Sequence, residues 1–172
     1  MKKLLVVVDM QKDFVDGALG TKEAEAIVDN VVKKIADFDG DIIATLDTHF
    51  ENYTATLEGK NLPVPHCIKG TAGHGLDKRV QAALECRGYR TLEKVTFGSV
   101  DLPRMAVGYD DITLIGLCTD ICVVSNAILL KASYPEKNIT VDAACCAGVT
   151  PKTHAAALTT MKMCQIKVVD NV

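Results

Sequence analysis

The chain has 172 residues, 48% of them hydrophobic and 24% charged, with a net charge of −3. That length suits a single domain, 1–172, with a substantial core, and the charge balance excludes the electrostatic footprint of a nucleic-acid binder or an anionic-membrane binder. Asp9 interrupts the opening apolar run too early for a secretory signal, no run is long enough to span a membrane, and seven cysteines are odd in number, so reduced thiols in a cytoplasm are expected.

Leu4–Val8 is a continuous apolar run ending in Asp9, the pattern of a central parallel strand buried on both faces. Met10–Gly20 reads as a loop containing Phe14. Lys22–Phe38 reads as a helix with Ile27, Val28, Val31, Val32 and Ile35 on one face. A second strand, Asp41–Leu46, ends in Asp47. Thr48–Thr71 is a long irregular stretch; loops of that length inside a compact domain are usually functional or disordered, and two of the four histidines here favour function. His74–Gly88 is a predicted helix and Tyr89–Leu92 a short third strand, with Lys94 just beyond it. Asp101–Val107 is a short predicted helix before the fourth strand, Ile112–Leu117. Asn138–Asp142 is the fifth strand. Thr150 caps a helix with Pro151 at its first position, running to about Met163, and Gln165–Val169 closes the sheet. Strand and helix alternate about six times, which predicts an α/β three-layer αβα sandwich with a mostly parallel six-stranded sheet. The turn after the first strand, Asp9–Phe14, has no Gly-rich phosphate loop, so nucleotide binding is disfavoured.

In such a sheet, ligands bind at the carboxyl ends of the strands. Asp9, Asp47, His49, Lys94 and Cys122 all fall there. Cys122 lies between the fourth strand and the helix that begins near Thr119 or Asp120, either of which suits the N-cap. A thiol in a first helical turn meets free backbone N–H groups and the positive end of the helix. Lys94 adds a cation, so a thiolate is expected at Cys122. Asp9 can take a thiol proton and return it to a leaving amine, and the N–H groups of Cys118 and Cys122 suit an oxyanion. This chemistry fits amide hydrolysis through a thioester. Asp47 and His49 stand two residues apart and His66 follows on the loop, a donor set for zinc or iron, with Glu58 as a fourth ligand, direct or through water.

Asp9–Phe14, Asp47–His49, His66–Thr71, Lys94 and Gly116–Val123 together resemble the isochorismatase-like cysteine hydrolases, closest to the nicotinamidase (pyrazinamidase) branch. The resemblance spans nearly the whole chain. It implies a six-stranded parallel sheet, an Asp-Lys-Cys triad on Asp9, Lys94 and Cys122, and a non-proline cis peptide just before Cys118 that aims the oxyanion N–H groups. It also implies a divalent metal, zinc with iron or manganese as alternatives, on Asp47, His49 and His66. In nicotinamidases that metal binds the pyridine nitrogen, some members add a Glu at the spacing of Glu58, and the Phe lining the ring pocket falls on Phe14. Homo-oligomers are usual in the family.

The chain departs from that pattern in having no Trp, and Leu62 or Pro63 stands where many nicotinamidases carry one to stack on the ring. The metal triplet favours nicotinamide, since branches acting on isochorismate or carbamoyl compounds generally lack it. The rival readings are another small amide or carbamoyl substrate, and a non-catalytic thiol-redox or ligand-binding protein using Cys118 and Cys122. Cys145 and Cys146 read as packing, as do Cys86 and Cys164 on helices. His74 and His154 read as surface residues at helix starts.

Overall fold

The computed structural model describes residues 1–170. Six parallel strands form one sheet: β1 (Lys3–Val8), β2 (Asp41–Asp47), β3 (Arg90–Lys94), β4 (Asp111–Leu117), β5 (Asn138–Ala147) and β6 (Lys167–Val169). They lie in the order β3-β2-β1-β4-β5-β6. The chain reverses its direction of travel across the sheet between β1 and β4, the place where such folds open a crevice at the strand ends.

Alternate residues of the central strands feed two cores. Leu4, Val6, Val8, Ile112 and Leu114 pack against α6 (Leu102–Met105), α7 (Val124–Ser133) and α8 (Pro151–Met163). Leu5, Val7, Ile42, Ala44 and Ile115 pack on the other face against α2 (Lys22–Ala26), α3 (Val28–Asp37) and α5 (Lys78–Arg87). The unbroken apolar runs of β1 and β4 are therefore what a strand covered on both faces requires.

The structure revises several element boundaries. The segment expected to be a loop after β1 contains a turn of helix, α1 (Lys12–Val15). The single helix expected over Lys22–Phe38 is two, parted at Ile27, yet Val28, Val31 and Ile35 stay buried on the sheet. The long irregular stretch holds a 3-10 turn at Tyr53–Ala55 and α4 (Leu57–Asn61). The helix expected from His74 begins only at Lys78, because Asp77 caps the N–H groups of Arg79 and Val80 and the preceding residues tie back to the β1 loop through Lys12 N to Gly75 O and Asp77 N to Met10 O. Thr150 caps α8 as expected, and Thr153 returns the bond to complete a reciprocal cap.

Gly116 in β4 has φ +115, and a Cβ there would lie 2.2 Å from the carbonyl oxygen of Val8. Neither backbone can yield without breaking the β1–β4 ladder, so the central strands approach this closely only because the side chain is absent. Gly116→Ala is expected to destabilise the fold by about 3 kcal/mol. Thermal unfolding checks this, with a fall in Tm of about 6–12 °C for a chain of this size.

Candidate active site and metal centre

Three strand ends and one turn bring the expected side chains together. Asp9 follows β1, Asp47 ends β2, Lys94 ends β3, and Cys122 lies in a π-type turn, Thr119–Val123, between β4 and α7. Lys94 Nζ is 2.6 Å from Asp9 Oδ2, 3.3 Å from Asp47 Oδ1 and 3.5 Å from Cys122 Sγ. All four residues are buried. The peptide joining Leu117 to Cys118 is cis.

Burial and electrostatics set the protonation states of this cluster. Burial opposes a charged Lys94, but the negative charges of Asp9 and Asp47 override it and hold the ammonium more firmly than usual. Burial, with the nearby Asp47 charge, lifts Asp9 above the ordinary carboxylate range against the pull of Lys94. The thiolate expected at Cys122 is not what the surroundings favour. Complete burial and the adjacent Asp9 charge push its thiol well above the usual value, and Lys94 only partly offsets them. The arrangement is a neutral thiol beside a carboxylate of enhanced basicity, so the proton moves as the sulfur attacks.

Neither Thr119 nor Asp120 caps the following helix. Cys118 occupies the position before the π-type turn without a side-chain cap. Thr119 Oγ1 instead pairs with His154 Nδ1 at 2.8 Å, and Asp120 accepts from Val149 N at 3.1 Å.

The second constellation adjoins the first. One donor atom from each of Asp47, His49, Glu58 and His66 lies within 4.8 Å of the others. His49 Nε2 and His66 Nε2 stand 2.9 and 3.6 Å from Asp47 Oδ2, and 3.5 and 3.7 Å from Glu58 Oε1. Among the described residues the buried His49 Nε2 has no partner in hydrogen-bonding geometry, although Asp47 Oδ2 lies 2.9 Å away. His66 Nδ1 donates to Val64 O at 2.8 Å, which leaves its Nε2 lone pair for a ligand. Two imidazoles and two carboxylates converging around an orphaned ring nitrogen fit a divalent cation. Burial disfavours the Asp47 carboxylate, but the imidazoles and Lys94 hold it ionised, well below the usual range.

Asp47 thus faces Lys94 with one oxygen and the imidazoles with the other. Between the two groups opens a cavity of about 270 Å³, near the lower end of small-molecule pockets. Cys118, Cys122, Asp47 and His66 line its polar side, and Phe14, Leu62 and Phe97 contribute apolar walls. A larger cleft of about 350 Å³ between α3 and β5 holds none of the triad or metal-donor side chains.

Several side chains that shape the site were not anticipated from the sequence. Gln11 is wholly buried and grips both sides of the Asp47 backbone, accepting from Asp47 N at 2.7 Å and donating to Asp47 O at 2.8 Å. Asp13 Oδ2 accepts from Cys67 N at 2.8 Å, next to His66. Tyr53 packs edgewise on His49 and His66, with ring centroids 4.7 and 5.1 Å away. Asn126 Nδ2 donates to Cys122 O at 2.9 Å while its Oδ1 accepts from Ser99 N, so it ties the nucleophile turn to the loop beyond Lys94. Of these, only Asn126 carried a signal in the sequence, as a polar residue inside the apolar stretch 123–130.

Other sequence expectations change. Cys86 and Cys164 are exposed rather than packed, whereas Cys145 and Cys146 are buried as expected. His74 and His154 are half-buried and hydrogen-bonded rather than free surface residues, His74 Nε2 to Thr48 Oγ1 at 2.9 Å. Burial and Asp120 push the Cys118 thiol up to about 12, the opposite of what a reactive redox pair with Cys122 needs. Among the described residues, no helix is long and apolar enough to cross a membrane.

Known proteins resemble this chain in sequence and in fold. A nicotinamidase/pyrazinamidase of Mycobacterium tuberculosis is 28% identical over 186 residues, covering 97% of this chain and 98% of that protein. An uncharacterized isochorismatase family protein of Bacillus subtilis is 30% identical over 144 residues, 74% of this chain and 78% of the relative. The crystal structure of nicotinamidase/pyrazinamidase PncA from Bacillus subtilis superposes with a TM-score of 0.86 at 27% identity, covering 99% of this chain and all of that one. The isochorismatase domain family matches residues 3–171. With the match running almost end to end, this chain belongs to the isochorismatase family.

Proposed function

We propose that the protein is a metal-assisted cysteine amidohydrolase that cleaves nicotinamide to nicotinate and ammonia. The observation that carries this reading is that one cavity is lined by Cys122, which Lys94 joins to Asp9, and by Asp47, Glu58 and His66, which converge with His49.

The aromatic ring enters between Phe14, Leu62 and Phe97, with its carboxamide carbon over Cys122 Sγ. As the sulfur attacks, its proton passes to Asp9, and the N–H groups of Cys118 and Cys122 stabilise the oxyanion. Lys94 keeps the negative charge of the site balanced throughout. The proton held by Asp9 goes to the departing ammonia, leaving a thioester. Asp9 then takes a proton from water, whose attack releases the acid and restores the thiol.

Asp47, His49, His66 and Glu58 would hold the divalent cation, zinc by preference for this donor set, with iron or manganese able to replace it. When bound, it supplies a Lewis-acid anchor for the ring nitrogen. Chelation is therefore expected to raise KM for nicotinamide about tenfold, the worth of one strong polar contact, with a smaller effect on kcat. Ammonia release measured as isolated, after chelation and after adding zinc back checks both the substrate and the metal. An unchanged KM after metal removal contradicts the anchoring role. A folded, metal-loaded protein that releases no ammonia from nicotinamide redirects the search to other small amides.

Seven free cysteines support a reducing, cytoplasmic setting. The exposed side chains of Leu57, Val95 and Val100 support a homo-oligomer, which size-exclusion chromatography would measure.

A further inference from the structure

Thr45 stands in the apolar run of β2, wholly buried, and carries the one hydroxyl of that strand. It pairs across the sheet with Val8, one residue before Asp9. Its hydroxyl is engaged twice by that aspartate, accepting from Asp9 N at 3.2 Å and lying 2.6 Å from Asp9 Oδ1. A hydroxyl has one proton, and with the Asp9 N–H facing its lone pair, that proton points to Oδ1. The other oxygen, Oδ2, faces Lys94 at 2.6 Å. Asp9 also has φ +48, a left-handed conformation seldom taken by residues with side chains, so ordinary strand geometry does not aim its carboxylate.

We propose that Thr45 is a positioning residue that occupies Asp9 Oδ1 and reserves Oδ2 as the oxygen that receives and returns the catalytic proton. This rests on the amidohydrolase reading above. The S–H bond of Cys122 gives its proton to Oδ2 as the S–C bond forms and the carbonyl electron pair moves onto oxygen. The same proton then leaves Oδ2 for the amide nitrogen as the C–N bond breaks.

Two ionisable groups act on Asp9, Lys94 at the end of β3 and Asp47 at the end of β2, and the Asp9 charge in turn raises the thiols of Cys118 and Cys122 from the turn after β4 and of Cys67 on the loop beyond His66. Burial and Asp47 raise Asp9, while Lys94 and the Thr45 hydrogen bond draw it down. Loss of the Thr45 donor disfavours the ionised carboxylate, so the base becomes available only at higher pH.

The test compares Thr45→Val, Thr45→Ser and the parent. It measures ammonia release from nicotinamide and iodoacetamide alkylation of Cys122 against pH, with a thermal melt of each protein. In Thr45→Val, kcat is expected to fall about tenfold or more with KM within about twofold, and the acid limb to rise by about one pH unit. The alkylation profile should move with it. Thr45→Ser, which keeps the hydroxyl, should restore both. A Thr45→Val protein with the parental pH profile, whether or not its Tm falls, overturns the proposal, as does an equal loss in Thr45→Ser. If the parent releases no ammonia from nicotinamide, the substrate reading fails, and the alkylation profiles still decide the role of Thr45.

Discussion

Cys122→Ala is expected to lower kcat/KM for nicotinamide by at least about 10⁴-fold, as losses of a covalent nucleophile do. The fold should tolerate the change. Burial keeps the thiol neutral, so alanine removes no charge from the cluster, and Lys94 still balances Asp9 and Asp47. The side chain lost is small, and the stability change should stay within about 1 kcal/mol. Ammonia release and a thermal melt on the same preparation check both statements. A folded Cys122→Ala protein that retains turnover rules out the thioester route. Binding of nicotinate to the zinc-loaded variant then separates loss of chemistry from loss of the pocket.

Lys94→Ala should abolish turnover and, unlike the cysteine change, also weaken the fold. The Lys94 side chain is 1% exposed and stands between Asp9 and Asp47, themselves buried. Removing the cation leaves two carboxylates without their counter-ion, which costs about 3–5 kcal/mol when a buried pair loses one partner. For a chain of this size that is a fall in Tm of about 6–20 °C. The pH dependence has a definite sign. Asp9 already lies above its ordinary value, and loss of Lys94 raises it further. A group whose folded pKa exceeds its unfolded value binds more protons in the native state, so the variant should lose stability as pH rises and recover part of it as pH falls. Lys94→Met, which fills most of the volume without the charge, separates the electrostatic loss from a cavity: an equal loss in both variants identifies the charge, and a full rescue by methionine contradicts this account.

The two expectations differ because the residues differ in what burial does to them. Cys122 can shed its charge by staying a thiol, whereas Asp9 and Asp47 need Lys94. That balance joins several strands and was not legible in the chain. The helix terminus and nearby lysine, read along the sequence, argue for a thiolate; only the closed packing around Sγ and the proximity of Asp9 reverse the sign.

The sequence by itself determined the alternation of strands and helices, the doubly covered sheet and the strand-end placement of Asp9, Asp47, His49, Lys94 and Cys122. Those features follow from local periodicity and turn chemistry, which neighbouring residues encode directly. It also singled out His66 and Glu58 as candidate metal donors, although the loop carrying them has no period from which their meeting can be read. Only the tertiary structure decided where α2 gives way to α3, that Gln11 and Thr45 reach across to β2 and Asp9, and that Phe97 and Leu62 form walls in a chain without Trp. Those outcomes depend on side chains far apart in sequence meeting at the crevice between β1 and β4, where strand register and burial govern which polar groups are satisfied.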